Sequence, residues 1–377
     1  MKFSRDRKKI FVIFFILFLL TGGWYYHYGL QPVNPKDSRN FKIVEIKKGD
    51  GVFTIANKLA DAGVIKSRLV FILEALRTGV YKKFQAGEYA FNLNQDLHQI
   101  FKILTEGRVV YHKVVIPEGL TLWQIAEVLE ENHICKKEDF LKLAKSPEIA
   151  KKFGLPGPTL EGYLYPDTYY FPKNTHPGIV IKTMVDNFWK HWKKYEKIAK
   201  KEGKSLKEVI TLASIVEKEA LFDREKPIIA AVYLNRLKRG MPLQADPTVN
   251  YALKKFRRLT YKDYYTVNSP YNTYLNPGLP PTPICSPGEA SIKAVLFPAK
   301  VRYLYFVAKG DGTHYFSRTY RQHLRAIRKA RRYRRWLRRI RRLRRLRRLR
   351  RHRHKHIQVK VSYKKSAKKR HTKGETL

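Results

Sequence analysis

The sequence predicts an α+β protein made of one transmembrane helix, two small αβ modules and one larger α+β domain. Three observations support this fold class. An uncharged apolar run lies near the N-terminus, an apolar pattern recurs at an offset of 70 residues, and the second half alternates helical patterns, strands and turns. With 377 residues, 44% of them hydrophobic and 13% aromatic, the chain has enough material for two or three folded units.

The N-terminus has the pattern of a signal anchor. Residues 1–9 are rich in Lys and Arg, and an uncharged run follows from Ile10 to about Tyr26. Such a run just crosses a hydrocarbon core of about 30 Å, and a basic flank stays on the cytoplasmic side. We therefore predict a single transmembrane segment over residues 10–30 of the cytoplasmic (inner) membrane, with residues 1–9 inside and the remainder outside. A cleaved signal peptide is the alternative, but no small-x-small site follows the run.

Two related modules are predicted after a Pro-containing linker, over residues 41–110 and 111–150. The matching positions are Ile46, Gly49, Ile55, Ala56, Leu59 and Val64 in the first module, and Ile116, Gly119, Ile125, Ala126, Leu129 and Ile134 in the second. The order strand, Gly turn, helix and loop resembles LysM-like carbohydrate-binding modules, which grip the N-acetyl groups of glycans. The same apolar positions would also form the core of any small βα unit, so glycan binding stays open at this point.

The larger α+β domain is predicted over residues 151–323. Ser205 and Glu208 form a capping box that begins one helix, and Pro227 suits the first turn of the next. Gly240 is a C-terminal stop signal for that second helix. The predicted elements are helices over Gly178–Gly203, Ser205–Leu221 and Pro227–Lys238 and a strand over Tyr303–Ala308.

The positive charge is concentrated in an Arg-rich tail over residues 324–377. The formal net charge is +47, and roughly 26 of these charges follow Tyr320. From Arg325 the tail repeats Arg-Arg-apolar, a period of three that drifts by about 60° per step around a helix and makes no lasting coiled-coil seam. Its predicted partner is anionic lipid or another polyanion such as teichoic or nucleic acid, and a solvated extension is the alternative. Nucleic-acid binding as the function of the whole protein conflicts with an outward topology.

The two cysteines, Cys135 and Cys285, lie about 150 residues apart without His residues at metal-ligand spacing. This pattern indicates neither a zinc site nor a disulfide framework. We expect buried free thiols and no metal or organic cofactor.

Two carboxylates stand out at the end of the helix that begins at Ser205. Glu217 and Glu219 project roughly 200° apart, on the two flanks of an apolar stripe. Helical periodicity does not choose between them. Desolvation beside the stripe would favour the neutral form of such a carboxyl, as a general acid near neutral pH requires. The alternative is that both lie at the surface and pair with Lys218 or Arg224.

Several motifs after this helix carry a resemblance to a known family. They are Asn235-Arg236-Leu237, Gly240–Val249, Tyr271-Asn272-Thr273-Tyr274, Gly278–Ile284, Phe297–Lys300 and Gly312–Phe316. Together they resemble the endolytic peptidoglycan lytic transglycosylase (MltG/YceG-like) family over about Phe41 to His323, so that residues 151–323 would be the catalytic domain.

The resemblance implies site residues that the spacing alone does not. The second glutamate of the Glu-Lys-Glu run is catalytic in that family, and it corresponds to Glu219. The family commonly has a hydroxyl residue next, where this chain has Ala220, and this departure argues against assistance of the acid by a hydroxyl at that position. The candidate substrate-binding residues are Glu217, Gln244, Asp246, Tyr271, Asn272 and Thr273. Asp246 could instead start a helix, Tyr271–Thr273 could form an ordinary turn, and His314 could satisfy a hydrogen bond in the core.

The implied reaction needs only one carboxyl, whereas hydrolytic glycosidases usually use two. Glu219 would cleave the β-1,4 bond between N-acetylmuramic acid and N-acetylglucosamine in nascent peptidoglycan and leave 1,6-anhydromuramic ends, which terminates strand elongation. Peptidoglycan synthases are the expected protein partners. A hydrolytic muramidase and a non-catalytic, membrane-anchored glycan-binding protein are the alternatives.

Overall fold

The computed structural model describes residues 3–37, 39–343 and 345. The chain folds into two compact units that interleave along the sequence. The first contains the residues up to Pro117 together with Leu122–Phe153 and Pro166–Asp186, and the second contains Glu118–Thr121, Gly154–Tyr165 and the residues from Asn187 onward. Helices and two-stranded antiparallel sheets occur in both units, so the prediction of a mixed protein of helices and strands is confirmed.

The first element is the long apolar helix α1, Phe3–Leu30. Its segment Lys9–Leu30 has a mean hydropathy of 1.8 over 18 residues and is long and apolar enough to cross a membrane. The C-terminal end of α1 continues into the first unit. The hydroxyl of Tyr25 lies 2.8 Å from Ser67 Oγ, that of Tyr26 donates to Glu74, and Leu30 packs against the buried core. A helix with the length and composition of the predicted transmembrane segment is therefore present.

The first unit is built from short strands and helices. Strand β1 pairs antiparallel with β2, with Phe41 opposite Asn92, and β3 pairs antiparallel with β4, with His112 opposite Phe171. The elements are β1 Phe41–Ile46, α2 Val52–Asp61, α3 Arg68–Thr78, β2 Gly87–Asn92, α4 Leu97–Glu106, β3 His112–Val115, α5 Leu122–Glu131, α6 Lys137–Ala144, α7 Pro147–Lys152 and β4 Thr168–Phe171, with a 3-10 turn over Val80–Lys83.

The 70-residue repetition has a structural counterpart. Helices α2 and α5 each contain ten residues, and their boundaries are offset by 70 positions. Gly49 and Gly119 both adopt positive φ angles, of 96° and 80°, in the turns that precede them. The matched apolar residues of both helices are buried, namely Ile55, Ala56 and Leu59 in α2 and Ile125, Ala126 and Leu129 in α5.

The second unit is mainly helical and ends in a β-hairpin followed by a helix. Its strands β5 and β6 pair antiparallel, with Tyr305 opposite Ser317 and Ala308 opposite His314. The remaining elements of the chain are α8 Pro177–Trp192, α9 Glu196–Lys201, α10 Leu206–Glu219, α11 Lys226–Leu237, α12 Asp246–Ala252, α13 Tyr261–Thr266, α14 Glu289–Leu296, β5 Tyr305–Ala308, β6 His314–Ser317 and a helix over residues 320–343, which we name α15, with a 3-10 turn over Asp223–Glu225.

The prediction of one continuous helix over Gly178–Gly203 is wrong, because the helical conformation is interrupted between α8 and α9. At the break, Tyr195 leaves the ideal helical geometry with φ −109° and ψ −14°, and its hydroxyl donates to Glu289. A side-chain contact distant in sequence therefore interrupts a pattern that is locally helical.

Helix α10 is the central element for the site. Ser205 and Glu208 form the predicted capping box. The Glu208 backbone N–H donates to Ser205 Oγ at 3.2 Å, and the Ser205 backbone N–H donates to Glu208 Oε2 at 2.8 Å. The apolar stripe that includes Val209 and Val216 is buried against α11 and α14. The last turn of α10 therefore holds Glu217 and Glu219 at fixed positions.

Helix α15 packs along the β5–β6 hairpin. Its start is capped, since the Gln322 backbone N–H donates to Thr319 Oγ1 at 3.3 Å. Ala330 is completely buried, whereas Leu343 is 46% exposed. Residue 344 and residues 346–377 of the predicted basic tail lie outside the described residues.

Candidate active site

A cavity of about 300 Å³ lies in the second unit, beside the last turn of α10. Segments from seven places in the sequence contribute to it, which explains why no single motif defines it. The lining residues are Glu219, Arg236, Leu243, Gln244, Asp246, Tyr274, Phe306, Val307, Ala308, His314 and Arg334. The structure therefore brings Glu219, Gln244 and Asp246 together, as expected for residues of one site.

Glu219 is the half-buried carboxyl of this cavity. The pKa of Glu219 is raised to about 7. Burial is the main cause, a hydrogen bond from Tyr233 opposes the rise, and the negative charge of Asp246 adds to it. The Tyr233 hydroxyl donates to Glu219 Oε1 at 2.9 Å. Because burial holds the pKa of Tyr233 well above its usual value, that hydroxyl stays protonated and remains a donor. Glu219 can therefore hold or release a proton near neutral pH.

The second cavity residue, Gln244, has a strained backbone. Its φ angle is +51°, in the left-handed region that non-glycine residues rarely adopt at a cost of roughly 1–2 kcal/mol. The Gln244 backbone N–H donates to the Thr273 carbonyl at 3.0 Å, and Arg236 Nη1 lies 3.3 Å from Gln244 Oε1. These contacts hold the amide side chain at the cavity.

Arg236 fixes the cavity wall rather than offering a free charge. Its guanidinium is buried, and it donates to the carbonyls of Leu304 at 2.7 Å, Leu243 at 2.8 Å and Pro242 at 3.1 Å. One side chain of α11 thus joins the approach to β5 with the segment that precedes α12.

Asp246 and Tyr274 form a second polar pair in the cavity. The Tyr274 hydroxyl donates to Asp246 Oδ1 at 2.6 Å, and the Tyr274 ring stacks on Tyr264 with 4.3 Å between the centroids. Asp246 is also the first residue of α12, so the alternative interpretation as a helix start is correct in part. The capping position is Ala245, however, and the Asp246 carboxylate remains exposed at the cavity.

Tyr271, Asn272 and Thr273 do not line the cavity but support its wall. Asn272 is completely buried, and its Oδ1 accepts a hydrogen bond from the Tyr274 N–H at 3.0 Å. Thr273 Oγ1 accepts one from the Ala245 N–H, also at 3.0 Å. The Tyr271 hydroxyl lies 2.7 Å from Thr282 Oγ1. This segment contains turns, as the alternative predicted, and it orders residues that reach the cavity.

Glu217 lies on the other flank of α10 and does not line the cavity. Its carboxylate oxygens lie 3.2 and 3.3 Å from Lys226 Nζ and accept hydrogen bonds from the Gly288 N–H at 3.0 Å and Ser291 Oγ at 2.6 Å. Lys226 is 3% exposed and also lies 3.0 Å from Asp223. The alternative interpretation, surface pairing with Lys218 or Arg224, is therefore wrong for Glu217, since its ionic partner is a buried lysine of α11.

His314 combines a core hydrogen bond with a place in the cavity wall. Its ring Nδ1 lies 2.7 Å from Glu225 Oε2, and its backbone N–H donates to Glu225 Oε1 at 3.1 Å. Both residues are buried. The carboxylate fixes the orientation of the ring, and the alternative interpretation of His314 as a satisfied core residue is supported.

Sequence reasoning missed several residues of this site. Tyr233 carried no signal, because a tyrosine within the apolar pattern of α11 is typical of a core residue. Arg236, Tyr274 and His314 lie inside the quoted motifs, but no role was assigned to the first two. Arg334 follows all of those motifs. Within the described part of the chain, no group of three His, Cys, Asp or Glu residues is arranged to hold a metal ion.

Comparison with known proteins places the chain in a family. Residues 44–329 match the model of the YceG-like family. An endolytic murein transglycosylase of Bacillus subtilis strain 168 is 38% identical over 329 residues, which cover 82% of this chain and 90% of that protein. An endolytic murein transglycosylase of Streptococcus pneumoniae strain D39 is 31% identical over 357 residues, which cover 85% of this chain and 65% of that protein.

A solved structure is also similar. The crystal structure of a YceG-like protein from Listeria monocytogenes is 37% identical, with a TM-score of 0.53, and the match covers 76% of this chain and 99% of that one. The chain belongs to the YceG-like family and is an enzyme of the lytic transglycosylase class. The match extends six residues beyond His323, where the resemblance was expected to end.

Proposed function

We propose that the protein is an endolytic lytic transglycosylase that cleaves the β-1,4 bond between N-acetylmuramic acid and N-acetylglucosamine in nascent peptidoglycan. The observation that carries this proposal is the Glu219 carboxyl in the cavity, whose pKa burial raises to about 7. A carboxyl of this kind can serve first as an acid and then as a base. The names of the curated relatives support murein as the substrate.

In the proposed reaction, protonated Glu219 gives its proton to the glycosidic oxygen, and the bond from that oxygen to C1 of muramic acid breaks. The N-acetylglucosamine leaves with a free 4-hydroxyl. The muramic acid 6-oxygen then attacks C1 while its proton passes to the Glu219 carboxylate. The product is a 1,6-anhydromuramic end, and the protein returns to its starting protonation state without consuming water.

The neighbouring groups have supporting roles in this proposal. Tyr233 holds the Glu219 carboxyl through its hydrogen bond. The Gln244 amide can bind N-acetyl or hydroxyl groups, and the Asp246 carboxylate can stabilise positive charge at C1. Asn272 and Thr273 order the segments that present these groups, and Glu217 anchors the last turn of α10 instead of touching substrate.

A hydrolytic muramidase is the second candidate, and one observation favours it. Asp246 lines the same cavity as Glu219, so two carboxyl groups are present where a hydrolase needs an acid and a base or nucleophile. The hydrogen bond from Tyr274 to Asp246 argues for a fixed charge rather than for a proton acceptor.

The remaining parts of the chain suggest where the enzyme works. We propose that α1 anchors it in the cytoplasmic membrane with the N-terminus inside, so that it reaches nascent strands and terminates their elongation beside peptidoglycan synthases. We propose LysM-like glycan-binding modules over residues 41–110 and 111–150, a catalytic domain over residues 151–323, and an Arg-rich tail that contacts anionic lipid or another polyanion.

Mass spectrometry tests the proposal directly. The purified full-length protein is incubated with peptidoglycan in water enriched in oxygen-18, alongside its Glu219→Gln variant. Anhydromuramic ends without the label, absent with the variant, are the expected products. Labelled reducing ends would establish the muramidase instead, and binding without cleavage would reduce the protein to a glycan-binding role.

A further inference from the structure

Helix α15 brings a side chain to the cavity from beyond the family match. The match ends at residue 329, but α15 continues to residue 343 and keeps one face against the β5–β6 hairpin. Ala330 is completely buried on that face, and Tyr333 lies close to Asp311 in the hairpin turn. The next residue, Arg334, lines the same cavity as Glu219.

The position of Arg334 is fixed by the hairpin. Its Nη1 donates to the Ala308 carbonyl at 2.9 Å. Its aliphatic stem lies over Gly310, where an added Cβ would come within 2.7 Å of Arg334 Cγ and the φ angle is +102°. A glycine is therefore needed opposite this arginine for two reasons, the backbone conformation and the close approach.

The guanidinium of Arg334 retains donors for a ligand. Among the described residues it forms no ion pair, and its one hydrogen bond uses a single N–H of the five that arginine carries. The other guanidinium in the cavity wall, Arg236, already donates through Nε and Nη1 to three carbonyl oxygens. Arg334 is also half-buried, whereas Arg331, Arg332 and Arg335 on the same helix are exposed.

We propose that Arg334 forms a carboxylate-binding subsite at the cavity, which recognises the acidic substituent on the muramic acid residue of the substrate. This inference rests on the proposed function. The sugar rings of peptidoglycan offer only N-acetyl and hydroxyl groups, and its carboxylates belong to the lactyl ether of muramic acid or to the peptide attached there. A guanidinium fork matches a carboxylate in shape and charge. The subsite would select muramyl units that carry an acid group near the bond to be cut.

Steady-state kinetics on two forms of each strand test this subsite. Full-length wild type, Arg334→Gln and Arg332→Gln are compared on glycan strands with and without stem peptides, each either untreated or with its carboxylates converted to amides. Arg332→Gln removes the same charge from an exposed position of the same helix and serves as the matched control. The unfolding midpoint of each variant checks that α15 stays docked.

We expect Arg334→Gln to raise KM at least about tenfold on untreated strands with little change in kcat, because a charged hydrogen bond is lost. Arg332→Gln should match wild type. Amidation should raise the wild-type KM by a similar factor and leave that of Arg334→Gln unchanged. If amidation raises the wild-type KM on stem-bearing strands, the group bound by Arg334 is a peptide carboxylate. If amidation raises it only on strands without stem peptides, the group is the lactyl carboxylate.

The proposal is overturned if Arg334→Gln has the KM of wild type, if both arginine variants lose affinity equally, or if Arg334→Gln responds to amidation as wild type does. Absence of anhydro product from wild type would instead contradict the proposed function. In that case, binding of untreated and amidated strands to wild type and Arg334→Gln, measured by sedimentation, still decides the role of Arg334.

Discussion

The two flanks of the last turn of α10 differ in what surrounds their carboxyl groups. On one flank, Glu217 meets the buried ammonium of Lys226 and accepts hydrogen bonds from Gly288 and Ser291. On the other, Glu219 has one hydrogen-bond donor, Tyr233, and a carboxylate neighbour, Asp246. The first environment supplies an ionic partner and hydrogen-bond donors, and the second favours the neutral form of Glu219 through burial.

This difference shows how one helix turn serves both stability and chemistry. Glu217 joins α10 to α11 and to the start of α14 through charge-assisted hydrogen bonds. Glu219, two residues later, is left short of partners, and the rigid packing secured by Glu217 holds it at the cavity. Substitutions at the two positions should therefore separate activity from stability.

The largest effect is expected for the activity of Glu219→Gln. Loss of the acid should lower kcat by about 10²- to 10⁴-fold, the usual contribution of general acid–base catalysis. The rate of release of anhydromuropeptides measures it. Glu217→Gln, assayed well below its unfolding temperature, is the control and should keep most of the activity; equal losses in the two variants would break the contrast.

The next effect is a loss of stability in Glu217→Gln. This change leaves the buried Lys226 with only Asp223 and the more distant Glu118 as acidic partners. We expect the free energy of unfolding to fall by about 3 kcal/mol, at the low end for a broken buried ion pair because Asp223 remains. Denaturant titration measures the change, and an unaltered midpoint would show that Glu217 does not anchor α10.

The pH dependence of the reaction sharpens the comparison further. In the proposed mechanism Glu219 starts protonated, and its pKa is about 7, so kcat/KM should fall as the pH rises through about 7. Tyr233→Phe removes a hydrogen bond that lowers this pKa, so the midpoint should move up. Asp246→Asn removes a like charge, so the midpoint should move down. If both variants shifted the midpoint in the same direction, the fall of kcat/KM with pH could not be assigned to Glu219.

The smallest effect is a gain in stability for Glu219→Gln at alkaline pH. The folded pKa of about 7 exceeds the ordinary value of 4.5, so the unfolded state binds fewer protons between these values and wild-type stability falls over that interval. The variant lacks this loss. Its free energy of unfolding should exceed that of wild type by about 1–2 kcal/mol at pH 8 and match it at pH 4. A variant less stable than wild type at pH 8 would contradict the raised pKa.

Local signals in the sequence predicted the helices around the site. Ser205 with Glu208 and Pro227 marked the starts of α10 and α11 to within one residue, because caps act over a few neighbouring positions. The break at Tyr195 was missed, because it depends on Glu289, far away in the sequence. Local capping fixes where helices begin, and tertiary contacts decide where they are interrupted.

The site itself was only partly predictable. Helical periodicity separated Glu217 from Glu219 but could not rank them, because their environments come from α11, α12 and α14. The family resemblance favoured Glu219 over Glu217, and the position of Glu219 at the cavity is a physical argument for the same choice. Tyr233 and Arg334 remained hidden because a tyrosine in an apolar helix and an arginine among many have nothing distinctive in sequence.

The junction between α1 and the first unit has a consequence for the proposed membrane anchoring. Tyr25 and Tyr26 hydrogen-bond to α3, Leu30 packs on the core, and the Asn34 N–H donates to the Leu93 carbonyl at 2.9 Å. The segment after α1 is thus part of the folded body and not a flexible tether whose reach grows with its length. With α1 in the membrane as proposed, the first unit would stand at a constant height above the bilayer, set by the dimensions of the protein.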